Sequence, residues 1–140
     1  QQNLVQIGDI TMTFKNLLTI KAVVCLALGV LLVLVPSELF DVLGASLDEV
    51  GRIPAREYGA AMLGTLVLTW LGRNLTDLKV QQIILLDLLI YDAVGFVVTL
   101  LPTLSGTLNA LGWGIEAVYL FFTVGSGYLL MTTRAAQSDR

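Results

Sequence analysis

Three carboxyl groups, Asp87, Asp92 and Glu116, lie well inside apolar stretches of this chain, out of eleven acidic residues in all. A charged carboxylate left alone at the centre of a membrane helix costs ~2.5 to 3.5 kcal/mol on insertion scales, so each needs a partner or a purpose. Lys21 stands fifteen residues before Pro36 and Asp87 fifteen before Pro102. Both therefore fall ~22 Å along a helix from their prolines, and a Lys21–Asp87 ion pair is expected. Lys21 could also snorkel by itself. Glu116 follows Trp113 by three residues, within reach of Arg56, which gives a second expected pair. Asp92 lies ~15 Å from Pro102, near the midplane, with no cation at its level. Two chemistries suit it. It is either a neutral carboxyl bonded to a hydroxyl such as Tyr91, Tyr119, Thr65 or Thr123, fastening helices, or a proton- or cation-binding group acting with Glu116.

Other chemistries lack their residues. The chain has no histidine and a single cysteine, Cys25, which excludes His-ligated haem, the usual zinc sites, iron–sulfur clusters and an intramolecular disulfide. Only oxygen ligands would remain for a metal or pigment, and no cofactor is expected. Cys25 follows Val24, where lipoprotein processing wants a small residue, so it reads as a buried inert thiol. No nucleophile–base pair can be assembled beyond isolated Tyr, Ser and carboxylate groups, which argues against an enzyme. The net charge of −3 is scattered, and no basic patch points to nucleic acid.

The elements that must hold these residues are four apolar stretches, residues 17–35, 55–72, 82–101 and 111–133. As helices they are roughly 27 to 35 Å long, matched to a hydrocarbon core of ~30 Å. Hydrophobic residues make up 56% of the chain and charged ones 14%, with a mean hydropathy of +0.81, too little charge to solvate four such helices. The fold expected is all-α: a polytopic membrane protein with a polar tail at 1–14, a four-helix transmembrane domain at 15–134 and a short tail at 135–140. Met12 is a candidate start, and the first helix reads as an uncleaved span rather than a signal peptide.

Orientation follows from the bases. With the first span running outward, Lys15, Lys21, Arg73, Lys79, Arg134 and Arg140 fall inside and only Arg52 and Arg56 outside, so both termini are expected in the cytoplasm. Trp70 and Trp113 then anchor opposite faces. The connection from Pro36 to Pro54 lies outside, its first part apolar enough for the headgroup boundary. In it Ser46 and Glu49 have capping-box spacing for a short surface helix, with Pro54 opening the next span.

A weak internal repeat groups the spans. Residues 27–36 align with 93–102 at Ala, Gly, Leu and Pro with an offset of 66, which suggests two helical hairpins related by an axis along the membrane normal. Small residues mark expected helix contacts, Ala60, Gly64 and Gly72 in the second span and Gly125, Ser126 and Gly127 in the fourth.

Pro36-Ser37-Glu38-Leu39-Phe40, the run from Pro54 to Gly64 with Trp70 and Arg73 after it, and Leu108-Asn109-Ala110-Leu111-Gly112-Trp113 resemble a family of small, uncharacterised bacterial four-helix membrane proteins. The resemblance runs from Met12 to Arg134. It implies the fold and a bacterial inner-membrane location and brings no activity. Small multidrug transporters share the size, but their essential glutamate lies in the first span, where this chain has Lys21. The function expected is that of a non-enzymatic accessory or structural subunit, partnered by the bilayer and by other membrane subunits or its own copies. The alternative is a small proton- or ion-coupled carrier using Asp92 and Glu116.

Overall fold

The computed structural model describes residues 6–7 and 10–138. Much of the tail expected at 1–14 lies outside the described residues, as do Asp139 and Arg140, the last of the bases expected inside. Strands β1 (Gln6–Ile7) and β2 (Ile10–Thr11) pair antiparallel. The remainder is helical: α1 (Phe14–Leu34), α2 (Pro36–Val42), α3 (Glu49–Gly72), α4 (Leu78–Leu104) and α5 (Gly112–Ser138). Helix α5 thus continues past Arg134 into the tail expected at 135–140.

Local chemistry sets the ends. Thr13 caps α1 by accepting the Asn16 N–H at 3.1 Å, and Pro36, which lacks an N–H and disfavours helix in the residue before it, stops α1 and starts α2. Gly44, at φ +81°, closes α2: its N–H reaches the Asp41 carbonyl, and that of Ala45 reaches the Phe40 carbonyl. This is a Schellman cap, and it needs the left-handed conformation that glycine adopts without strain.

The next boundary corrects the sequence-based expectation. Asp48, not Ser46, caps the following helix, its side chain accepting the Gly51 N–H at 2.7 Å. The expected surface helix and second span are thus one helix, and Pro54 lies inside it. Proline so near an N-terminus removes one early hydrogen bond and leaves the rest of the ladder intact. Asp77 caps α4 through the Lys79 and Val80 N–H groups.

Helices α1, α4 and α5 are long and apolar enough to cross a membrane. Their outward faces carry Val23, Leu34, Ile83, Val97, Leu101, Val124 and Met131, all exposed, as a chain dissolved in hydrocarbon requires. Helix α3 has the length, at 24 residues, but Arg52, Arg56 and Glu57 make its first half more polar.

Packing pairs α1 with α3 and α4 with α5. In the first pair Gly29 meets Gly59 and Leu18 meets Gly72, so the helices are antiparallel. The second runs the same way, with Thr103 against Gly112, Gly95 against Tyr119 and Leu89 against Gly127. At one end the pairs join through Leu17, Leu85, Phe122, Leu129 and Leu130, and through Leu18, Ile84 and Leu88. Towards the other end the buried cluster of Cys25, Leu32, Ala55 and Met62 belongs to α1 and α3 alone. There the bridge is polar: Asn109 donates its side-chain amide to the Val42 carbonyl and its backbone N–H to that of Leu43, both at 2.8 Å.

The small residues divide by face. Gly72, Gly125 and Gly127 lie at helix contacts, whereas Ala60 and Gly64 are exposed, with nothing within 4 Å of a Cβ built on Gly64. The seam uses Gly59, one position and about 100° around the helix from Ala60.

Candidate functional site

The polar centre joins the two helix pairs. Lys21 on α1 donates to the Asp92 Oδ1 on α4 as a buried ion pair, with 2% of Lys21 and 0% of Asp92 exposed. The Lys21 ammonium also sits 4.9 Å from the centroid of the Tyr91 ring and 4.4 Å from that of Phe122, where ring quadrupoles favour a cation. Asp92 Oδ2 is buried and has no hydrogen-bond partner among the described residues.

The pairing differs from the expected Lys21–Asp87, and Asp92 does have a cation. Asp87 and Lys21 match in depth, but five residues place Asp87 and Asp92 about 140° apart around α4, so both cannot face α1. Asp87 is exposed on the outer side. The flexible lysine stem accommodates the remaining difference in depth.

The other expected pair is also absent. Glu116 is buried, but neither carboxylate oxygen has a partner among the described residues, and Arg56 is exposed. What α3 presents to α5 is Tyr58, two positions and about 200° around the helix from Arg56.

Tyr58 brings together three hydroxyls from three helices. Tyr91 donates to the Tyr58 hydroxyl at 2.8 Å, and the Tyr58 and Tyr119 hydroxyls bond at 2.7 Å. The Tyr58 and Tyr91 rings stack at 6.4 Å. Tyr119 fits because residue 95 is glycine: a Cβ there would collide with the Tyr119 ring at Cε1. Thr65 and Thr123 take no part, since Thr65 bonds back to the Ala61 carbonyl and the buried Thr123 hydroxyl has no partner among the described residues.

Sequence reasoning selected Tyr91, Tyr119 and Asp92 and missed Tyr58. A signal was present, because Tyr58 and Met62 share one helical face at a spacing of four, and Met62 is buried against α1.

Beside this cluster the two pairs line an open cavity of about 580 Å³. Its lining runs from Lys21 and Asp92, past the three tyrosines, to Phe40 on α2 and Leu108 in the turn before α5. The walls are mostly apolar, with Lys21, Asp92 and the tyrosines towards one end and the hydroxyls of Ser46 and Thr107 at the other. Among the described residues no three His, Cys, Asp or Glu side chains converge as metal ligands. Compared with protein-family models, curated proteins and solved structures, the chain matches none.

Proposed function

We propose that the chain is a non-enzymatic accessory or structural subunit of a membrane assembly, bound to another membrane protein or to copies of itself. In this reading α3 is a fourth span and both termini are cytoplasmic, in a bacterial inner membrane. The antiparallel contacts support the fourth span: a helix packed beside α1 from Gly72 to Gly59 shares the depth that α1 crosses. The resemblance and the distribution of bases support the membrane and the orientation.

The observation that carries the subunit reading is Asp87. It is exposed on the outer side of α4, between Ile83 and Ile90, which are 68% and 56% exposed. Five residues after Gln82, where the apolar stretch begins, Asp87 lies ~8 Å from the nearer headgroups, a distance that lysine spans and the short aspartate does not. A neighbouring chain that supplies a donor or cation removes the cost.

The test is the particle size of the tagged chain extracted with its lipids by an amphipathic polymer. The wild type is expected in a particle larger than one 15.1 kDa copy in a lipid disc, and Asp87→Leu is expected to release the single copy. A wild type already single, or an Asp87→Leu particle of unchanged size, would overturn the reading. The carrier alternative draws support from Asp92 at the cavity and from the Glu116 oxygens, which have no partner among the described residues.

A further inference from the structure

We infer that the cavity between the helix pairs is a binding site for a small neutral lipophilic alcohol, its hydroxyl head at the tyrosine–Asp92 end and its apolar body along the walls towards α2. The inference is independent of what Asp87 contacts on the outside.

Size comes first. A cavity of about 580 Å³ is within the ~300 to 1,000 Å³ of pockets that hold small ligands, and such pockets combine apolar walls with a few placed polar groups. Leu28, Leu32, Met62 and Val98 supply apolar wall here.

The head group follows from counting hydrogen-bond capacity. Three tyrosine hydroxyls carry three protons but make two mutual bonds. Tyr91 uses its proton on Tyr58, so one O–H proton is left over, on Tyr119 or on Tyr58 according to which donates in their shared bond. Asp92 Oδ2 is an acceptor left over in the same lining. A buried acceptor without a partner is costly, and a ligand that donates to it while accepting the spare tyrosine proton offsets that cost. A hydroxyl can both donate and accept. A ketone or ether accepts only and leaves Asp92 unmet.

Charge excludes the alternatives. Lys21 and Asp92 already neutralise each other, so a carboxylate head would face the aspartate and an ammonium head the lysine, each desolvated without a free counter-ion. A neutral head meets neither penalty.

The probe is a dodecanol carrying an alkyl diazirine, added to the full chain in lipid discs and photolysed, with labelled peptides mapped by mass spectrometry. Saturable labelling of the segments containing Leu28, Met62 or Val98 is expected, competed by dodecanol and not by dodecane, dodecanoate or dodecylammonium. Leu28→Trp fills the cavity and should abolish it. Tyr58→Phe, Tyr91→Phe and Tyr119→Phe together keep the rings, remove the spare donor and should weaken competition about fivefold, the value of about one hydrogen bond. If Leu28→Trp does not fold, the tyrosine variant decides alone. Non-saturable labelling, equal competition by all four compounds, or an unchanged tyrosine variant would overturn the inference. Competition by dioleoylglycerol but not by dodecanol would also overturn it, assigning the site to a lipid instead.

Discussion

Lys21 and Asp92 hold each other in a place where neither is comfortable by itself. Removing one side of a buried pair strands the other charge, which typically costs ~3 to 5 kcal/mol, whereas replacing both with apolar groups of similar volume is often close to neutral. Unfolding in bicelles should therefore show Lys21→Met and Asp92→Leu each losing about 3 kcal/mol or more, and the double variant losing less than either. Additive losses would show that the contact contributes nothing. The same residue separates subunit from carrier. Asp92→Asn keeps hydrogen-bonding capacity but cannot load or release a proton, so in liposomes with a pH-sensitive dye it would lose any flux the wild type has. The subunit reading expects no flux from either protein and equal assembly. A proton current in the wild type that vanishes in Asp92→Asn would reverse the ranking.

At the scale of helices, the antiparallel seam between α1 and α3 is closest at two glycines. A Cβ on Gly59 would lie 2.8 Å from Leu32 Cβ and 2.9 Å from the Gly29 carbonyl oxygen, so the backbones must separate to admit it. Gly59→Ala should destabilise the fold by ~1 to 3 kcal/mol, the usual cost of overpacking. Gly64→Ala, on the same helix but facing open space, should be neutral or gain up to ~1 kcal/mol from helix propensity. Thermal unfolding of the two variants side by side checks this, and equal losses would place the seam elsewhere. If only the association of copies weakens in Gly64→Ala, the exposed Ala60 and Gly64 form an intermolecular contact.

For the molecule as a whole, two antiparallel helix pairs are closed by leucines and Phe122 at one end and line a cavity towards the other. Its direction in the bilayer is set by charge. With the bases concentrated at the end that carries Lys15, Arg73, Lys79 and Arg134, the connection between α2 and α3 should lie outside the cell. A cysteine placed at the exposed Ser46 should react with an impermeant thiol reagent on intact cells, over a quiet background because Cys25 is buried. Labelling only after lysis would invert the topology and turn the cavity end towards the cytoplasm.

Length and hydropathy by themselves determined that the chain is helical and apolar enough to cross a membrane at α1, α4 and α5, because a span must satisfy its own backbone and match a fixed thickness. Turn chemistry was legible at Pro36, where an imide admits few conformations, and less so at Ser46 and Asp48, where two capping residues compete within one turn. Asp92, Tyr91 and Tyr119 stood out in the sequence as polar groups in apolar surroundings. Which cation met Asp92, and that Tyr58 completed the cluster, only the tertiary structure decided. Sequence spacing gives depth along a helix well, but the direction around its axis turns about 100° per residue and is fixed only when a neighbour packs against it. That rotation sent Lys21 to Asp92 rather than Asp87, and put Gly59 rather than Ala60 at the seam.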